Sequence, residues 1–104
     1  MTSKSKLKGS RFERETNEIF NNAGFISKKI PLSGATWLKG DLLTTINKET
    51  LTVECKVRKS GFKQQYQWLE SNDLLVCKED RNEPIVILKL SKFIEILKGC
   101  LNNA

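Results

Sequence analysis

Glu13, Asp41, Glu54 and Lys56 are the residues of this chain whose types and spacing point to chemistry. Glu13 stands in a basic opening segment, Asp41 follows a glycine, and Glu54-Cys55-Lys56 lies inside an apolar stretch. Magnesium takes hard oxygen ligands and keeps several waters, so one or two carboxylates plus a substrate phosphate hold it. Bound, it polarises the phosphate and lowers the pKa of a water. A lysine beside it holds the attacking hydroxide or neutralises developing charge. The expected ligands are Asp41, Glu54 and the backbone carbonyl of Cys55, with Glu13 reaching the cluster from the first helix, through a water. Manganese is the expected substitute for magnesium.

Each piece has an ordinary reading too. Alternating Glu and Lys is common on a solvated strand face, Gly-Asp is common in turns, and a helix glutamate is often a cap. Order, spacing and a basic surround are what favour the chemical reading.

The elements that must position these residues follow from periodicity. Residues 1–8 read as a mobile basic arm. Residues 9–23 read as a helix with Phe12, Thr16, Ile19, Phe20 and Ala23 on one face. Ser10 would cap it with Glu13 completing a capping box, and Gly24 would stop it. Strands are expected over residues 25–30, 42–46 and 51–57, the last two forming a hairpin through a turn at 47–50. Side chains alternate along a strand, so Glu54 and Lys56 would share a face, about 7 Å apart. A helix over 62–70, strands over 74–77 and 85–90, and a last helix capped by Ser91 complete the order α-β-β-β-α-β-β-α. Phe93, Ile94, Leu97 and Leu101 would be that helix's buried stripe.

The 104 residues fit one domain, expected over 9–104. Eighteen basic against twelve acidic residues leave a charge of +6, which favours a polyanionic partner. Lys4, Lys6, Lys8, Arg11 and Arg14 crowd the start; Arg58, Lys59 and Lys63 follow the Glu-x-Lys motif. With no histidine, histidine-dependent nucleases, zinc hydrolases and His-based triads are excluded. Cys55, Cys77 and Cys100 are expected to be reduced, mostly buried thiols in a cytoplasmic protein, of a cell or a phage. No apolar run is long enough to span a membrane, and the basic N-terminus lacks a signal peptide's apolar region. No nucleotide cofactor is expected.

Lys8-Gly9-Ser10-Arg11-Phe12-Glu13-Arg14-Glu15, Ser33-Gly34, Gly40-Asp41-Leu42 and Val53-Glu54-Cys55-Lys56-Val57-Arg58-Lys59 resemble the archaeal-type Holliday junction resolvases of the PD-(D/E)XK nuclease superfamily. The resemblance covers roughly residues 8–60. It implies an α/β, restriction-endonuclease-like fold with a mixed central sheet flanked by helices. It also implies a homodimer that resolves four-way DNA junctions with magnesium in recombination and repair. Glu13, Asp41, Glu54 and Lys56 take the family's catalytic positions. Gly40 stands where the superfamily's name has proline. Ser33 or Thr36 would fill the place of the family's loop serine, unless Ala35 occupies it. Some branches carry a glutamine in the following helix, a place Gln65 would take against a phosphate or the lysine, or else solvated. Trp37 would stack on an unpaired base, or pack on the sheet or a dimer mate.

Two other functions are weighed against this one. One is a repair, restriction or phage nuclease of the same superfamily. The other is a non-catalytic basic module that binds nucleic acid.

Overall fold

The structure is a computed structural model that describes residues 4–31 and 40–102, except for the side chains at 5, 101 and 102. Its elements are α1 (Lys4–Asn22), β1 (Ile26–Lys29), β2 (Leu42–Ile46), β3 (Glu49–Val53), α2 (Lys63–Trp68), β4 (Leu75–Cys77), β5 (Ile85–Ile87) and α3 (Leu90–Asn102). The order is the expected one, and the α/β class is compatible with a restriction-endonuclease-like fold. The chain divides into two compact units, Met1–Val57 and Arg58–Ala104.

In the first unit α1 packs on an antiparallel sheet of order β1-β2-β3. Helix α1 begins at Lys4, so residues 4–8 are its first turn and not part of an arm. Ser10 is therefore internal to the helix, and the expected capping box with Glu13 does not form. Thr16 and Phe20 are buried and Phe12 is half-buried, as their spacing predicts. Ile19 is 43 % exposed, because it lies about 100° round the helix from Phe20. The helix ends in a Schellman motif: Phe25 N–H donates to the Phe20 carbonyl and Gly24 N–H to that of Asn21. Gly24, at φ +100°, supplies the left-handed residue this needs. The Asn21 side chain then clamps β1, donating to the Ser27 carbonyl at 2.9 Å and accepting from its N–H at 2.8 Å.

Strands β2 and β3 meet in a two-residue turn, Asn47-Lys48, both at positive φ. Such turns match the twist of the strands they join. Glu49 and Thr50, expected in the turn, instead pair with Ile46 and Thr45. Leu42, Thr44 and Ile46 are buried between sheet and helix, with Phe20, Phe25 and Ile30 around them. The buried hydroxyls of Ser27 and Thr44 satisfy each other at 2.9 Å.

The second unit holds α2, the antiparallel pair β4–β5 and α3. Leu69 is buried, whereas its neighbour Trp68 is 49 % exposed. Ser91 lies inside α3 rather than capping it, since the helix starts at Leu90. Phe93, Ile94 and Leu97 are half-buried. All three cysteines are free; Cys55 and Cys77 are half-buried, and Cys100 is exposed, against the expectation of mostly buried thiols. Among the described residues no helix is long and apolar enough to cross a membrane.

Candidate active site

Strand β3 stops at Val53, four residues short of the expected end, and Asp41 is the reason. Asp41 N–H donates to the Val53 carbonyl at 2.7 Å, which extends the ladder by one bond. The next donor, Cys55 N–H, goes to Asp41 Oδ2 at 2.7 Å. A carboxylate thus takes the place of a strand carbonyl, and Glu54 and Lys56 lie beyond the end of the strand. Gly40 makes the approach possible. Its φ is +104°, and a Cβ there would stand 3.2 Å from the Val53 carbonyl oxygen. On the other side Ile30 N–H donates to the Asp41 carbonyl at 2.9 Å. Asp41 is therefore tied to both neighbouring segments.

Glu13 arrives from α1. Its carboxyl lies beside that of Asp41, which also neighbours Glu54 closely enough for each pair to affect titration. The three carboxyls that the sequence singled out therefore converge. Their electrostatics show the crowding. Burial, the hydrogen bond to Asp41 and the charges of Asp41 and Glu54 raise the Glu13 pKa, against the opposing charge of Lys29. For Asp41, burial alone would raise the pKa. The Cys55 N–H, the hydrogen bonds with Glu13 and Glu54 and the charge of Lys56 outweigh it, and the pKa falls.

Lys56 is exposed and close enough to act on Asp41 through its charge. Cys55 turns its side chain towards α1, where Thr16 hydrogen-bonds it. Burial, then the charges of Asp41, Glu13 and Glu54, push its thiol pKa up. A protonated thiol is a poor nucleophile, so the side chain of Cys55 is structural.

A hard cation suits this donor set. The charges of Asp41 and Glu54 both work against ionisation of Glu13, a repulsion that a cation among them would relieve. Among the described residues no three His, Cys, Asp or Glu side chains already form a cage for an ion. Magnesium needs none, because waters and substrate phosphate complete its shell.

One site residue was missed. Lys29 Nζ lies 3.8 Å from Glu13 Oε2. Lys29 pairs with Leu42 in the β1–β2 register, which puts it on the helix side of the sheet. The signal was a lysine at the end of a strand, visible only once the register is known.

The other candidates divide by location. Lys4, Lys6, Lys8, Arg11 and Arg14 are exposed on α1. Lys4, Lys8 and Arg11 follow helical spacing and form one stripe. Arg58, Lys59 and Lys63 are exposed in the second unit. Gln65, in that unit, is half-buried rather than solvated. Ser33, Ala35, Thr36 and Trp37 lie outside the described residues.

Comparison with protein-family models finds a match over residues 4–75, to the family described as archaeal Holliday junction resolvase (Hjc). Comparison with curated proteins and with solved structures finds no match.

Proposed function

This chain belongs to the archaeal Holliday junction resolvase family, and from that membership we propose a magnesium-dependent endonuclease that cuts four-way junctions by paired nicking as a homodimer. The observation that carries the reading is the convergence of Glu13, Asp41 and Glu54 beside Lys56.

Asp41 and Glu54 would hold the metal, the Cys55 carbonyl would add a neutral oxygen, and Glu13 would act through a water. Magnesium, or manganese in its place, supplies a polarised phosphate and a more acidic water when bound. The rest belongs to the chain. The Cys55 N–H occupies Asp41 Oδ2 and fixes the carboxylate's orientation, which spares that reorganisation during reaction. Lys56 offsets charge as the phosphorane forms, or holds the attacking hydroxide. The basic stripe of α1, with Arg58, Lys59 and Lys63, meets the DNA backbone.

One site cuts one strand, so symmetric resolution needs two sites related by a two-fold axis. Val76 and Val86 face each other across β4–β5 and are 63 % and 56 % exposed, an apolar surface that supports a partner copy. A purely binding module is disfavoured, since three converging carboxylates repel phosphate.

The test is cleavage of a four-way junction, a flap, a linear duplex and a single strand, with magnesium and with excess chelator. Paired nicks in the junction, lost in chelator and restored by magnesium, are expected. Equal cutting of all four substrates would overturn the resolvase reading. Full activity in chelator would overturn the metal.

A further inference from the structure

The meeting of Glu13 with Asp41 depends on where α1 lies on the sheet, and a short chain of hydrogen bonds ties the two together. It begins near the C-terminal end of the helix. Asn21 donates from Nδ2 to the Ser27 carbonyl at 2.9 Å, and its Oδ1 accepts the Ser27 N–H at 2.8 Å. Ser27 stands directly opposite Thr44 in the β1–β2 register, and their buried hydroxyls meet at 2.9 Å. Thr44 lies three residues beyond Asp41. The chain Asn21–Ser27–Thr44 therefore joins the helix that carries Glu13 to the strand that follows Asp41.

Apolar burial holds α1 against the sheet but is non-directional, so Phe20 and Leu42 set no exact register between them. Hydrogen bonds are directional, and an amide held by two of them restricts both sliding and turning. Asn21 is eight residues after Glu13, about 12 Å along the helix axis and about 80° round it. A helix held at Asn21 thus carries Glu13 to a set point. Asp41 is fixed separately, by its bonds with Ile30 and Val53. On the sheet side, slipping β1 by one residue against β2 would strand two buried hydroxyls, each at the full cost of desolvation. Asn21 itself is an exposed residue, so it adds nothing to the apolar core.

We propose that Asn21 is a positioning residue for cleavage: through Ser27 and Thr44 it sets α1 on the sheet so that Glu13 stands beside Asp41. It acts through Glu13 and touches neither the metal nor the DNA. The inference rests on the nuclease reading and deepens it by naming what places the helix carboxylate.

The test uses the full chain at a temperature where circular dichroism shows every variant folded. Asn21→Leu removes both bonds at similar size. It should lower the single-turnover rate on a four-way junction at least about tenfold, because small misplacements of a reacting group are costly. Manganese binding without DNA should weaken, and junction affinity in calcium should stay at the wild-type value. Asn21→Gln keeps both groups on a longer arm and should recover part of the rate. Ser27→Ala with Thr44→Val cuts the second link and strands neither hydroxyl. Combined with Asn21→Leu it should cost little more than the larger loss alone, since the links are in series. Ile46→Val, at the far end of β2, is the control for lost stability and should keep the wild-type rate. Residual dipolar couplings in chelator read the angle of α1 against the sheet, which should change in Asn21→Leu and not in Ile46→Val. If Asn21→Leu lowers only the melting temperature, leaving rate, manganese binding and helix angle unchanged, the role is structural and the proposal fails. If the wild-type chain cuts no DNA, the nuclease reading fails, and the helix angle alone still decides whether Asn21 sets α1.

Discussion

Asp41 Oδ2 accepts a hydrogen bond of 2.7 Å from the main-chain N–H of Cys55, so a carboxylate finishes the pairing that strand β2 began. The same contact ends β3 and orients the candidate ligand. It also lets two roles of Asp41 be separated by mutation.

Asp41→Asn keeps an oxygen for the Cys55 N–H but loses the charge. It should abolish cleavage while the fold and junction binding persist. Glu54→Gln should behave likewise. Losses of at least about 100-fold in single-turnover rate are expected, of the size seen when a key electrostatic group is removed. Binding is measured in calcium, without turnover. Cleavage by Asp41→Asn at the wild-type rate would rule out its role as a ligand.

Lys56→Ala should also remove cleavage, with only a small loss of binding. Lys56 is one basic group among eighteen, so its share of backbone attraction is minor. A fall in affinity that matched the fall in rate would instead make it a phosphate contact.

The raised pKa of Glu13 has a sign that thermal unfolding in chelator will show. In the unfolded chain the carboxyl returns to its ordinary value of 4.5. Between that value and the raised folded one, the folded state holds the extra proton, so this contribution to stability is lost as pH rises through the window. Asp41 works in the opposite sense: its lowered pKa adds stability above 3.8 that is lost as pH falls through the folded value. Glu13→Gln should remove the loss on the rising side. Protons and magnesium would compete for the same carboxylates, so the stabilising effect of magnesium should grow with pH. A wild-type profile in Glu13→Gln would refute the raised Glu13 pKa as its cause.

Salt should weaken DNA binding steeply, with a slope of about −0.9 per phosphate neutralised. Replacing Lys4, Lys6 and Lys8 by alanine keeps helix propensity in α1. It should flatten the slope and weaken junction, flap and duplex alike. An unchanged slope would remove α1 from the DNA face.

Val86→Lys should shift sedimentation from dimer towards monomer. The junction should then show single, unpaired nicks. A wild-type sedimentation profile would move the partner surface elsewhere.

The order of elements was legible because each carries its own periodicity, and the nearness of Glu13 to Asp41 because both sit in fixed relation to those elements. Leu42, Thr44 and Ile46 alternate cleanly, and β2 was read to the residue. What failed was governed by contacts distant in sequence. The apolar run from Leu51 to Val57 reads as one strand, yet the side chain of Asp41 takes its next donor and ends it. Residues 4–8 read as an arm because lysines mask the helical pattern, although lysine itself favours a helix. Lys29 was invisible for the same reason: nothing local connects it with Glu13.

Gly40 changes how the motif itself should be understood. At φ +104° it occupies a region closed to proline, whose ring holds φ near −65°. Installing the superfamily's proline here would therefore rebuild the loop and displace Asp41 from Val53. The glycine is not a worn copy of the usual letter. It is a second backbone route to the same aspartate, and a search that insists on proline would pass over chains that take it.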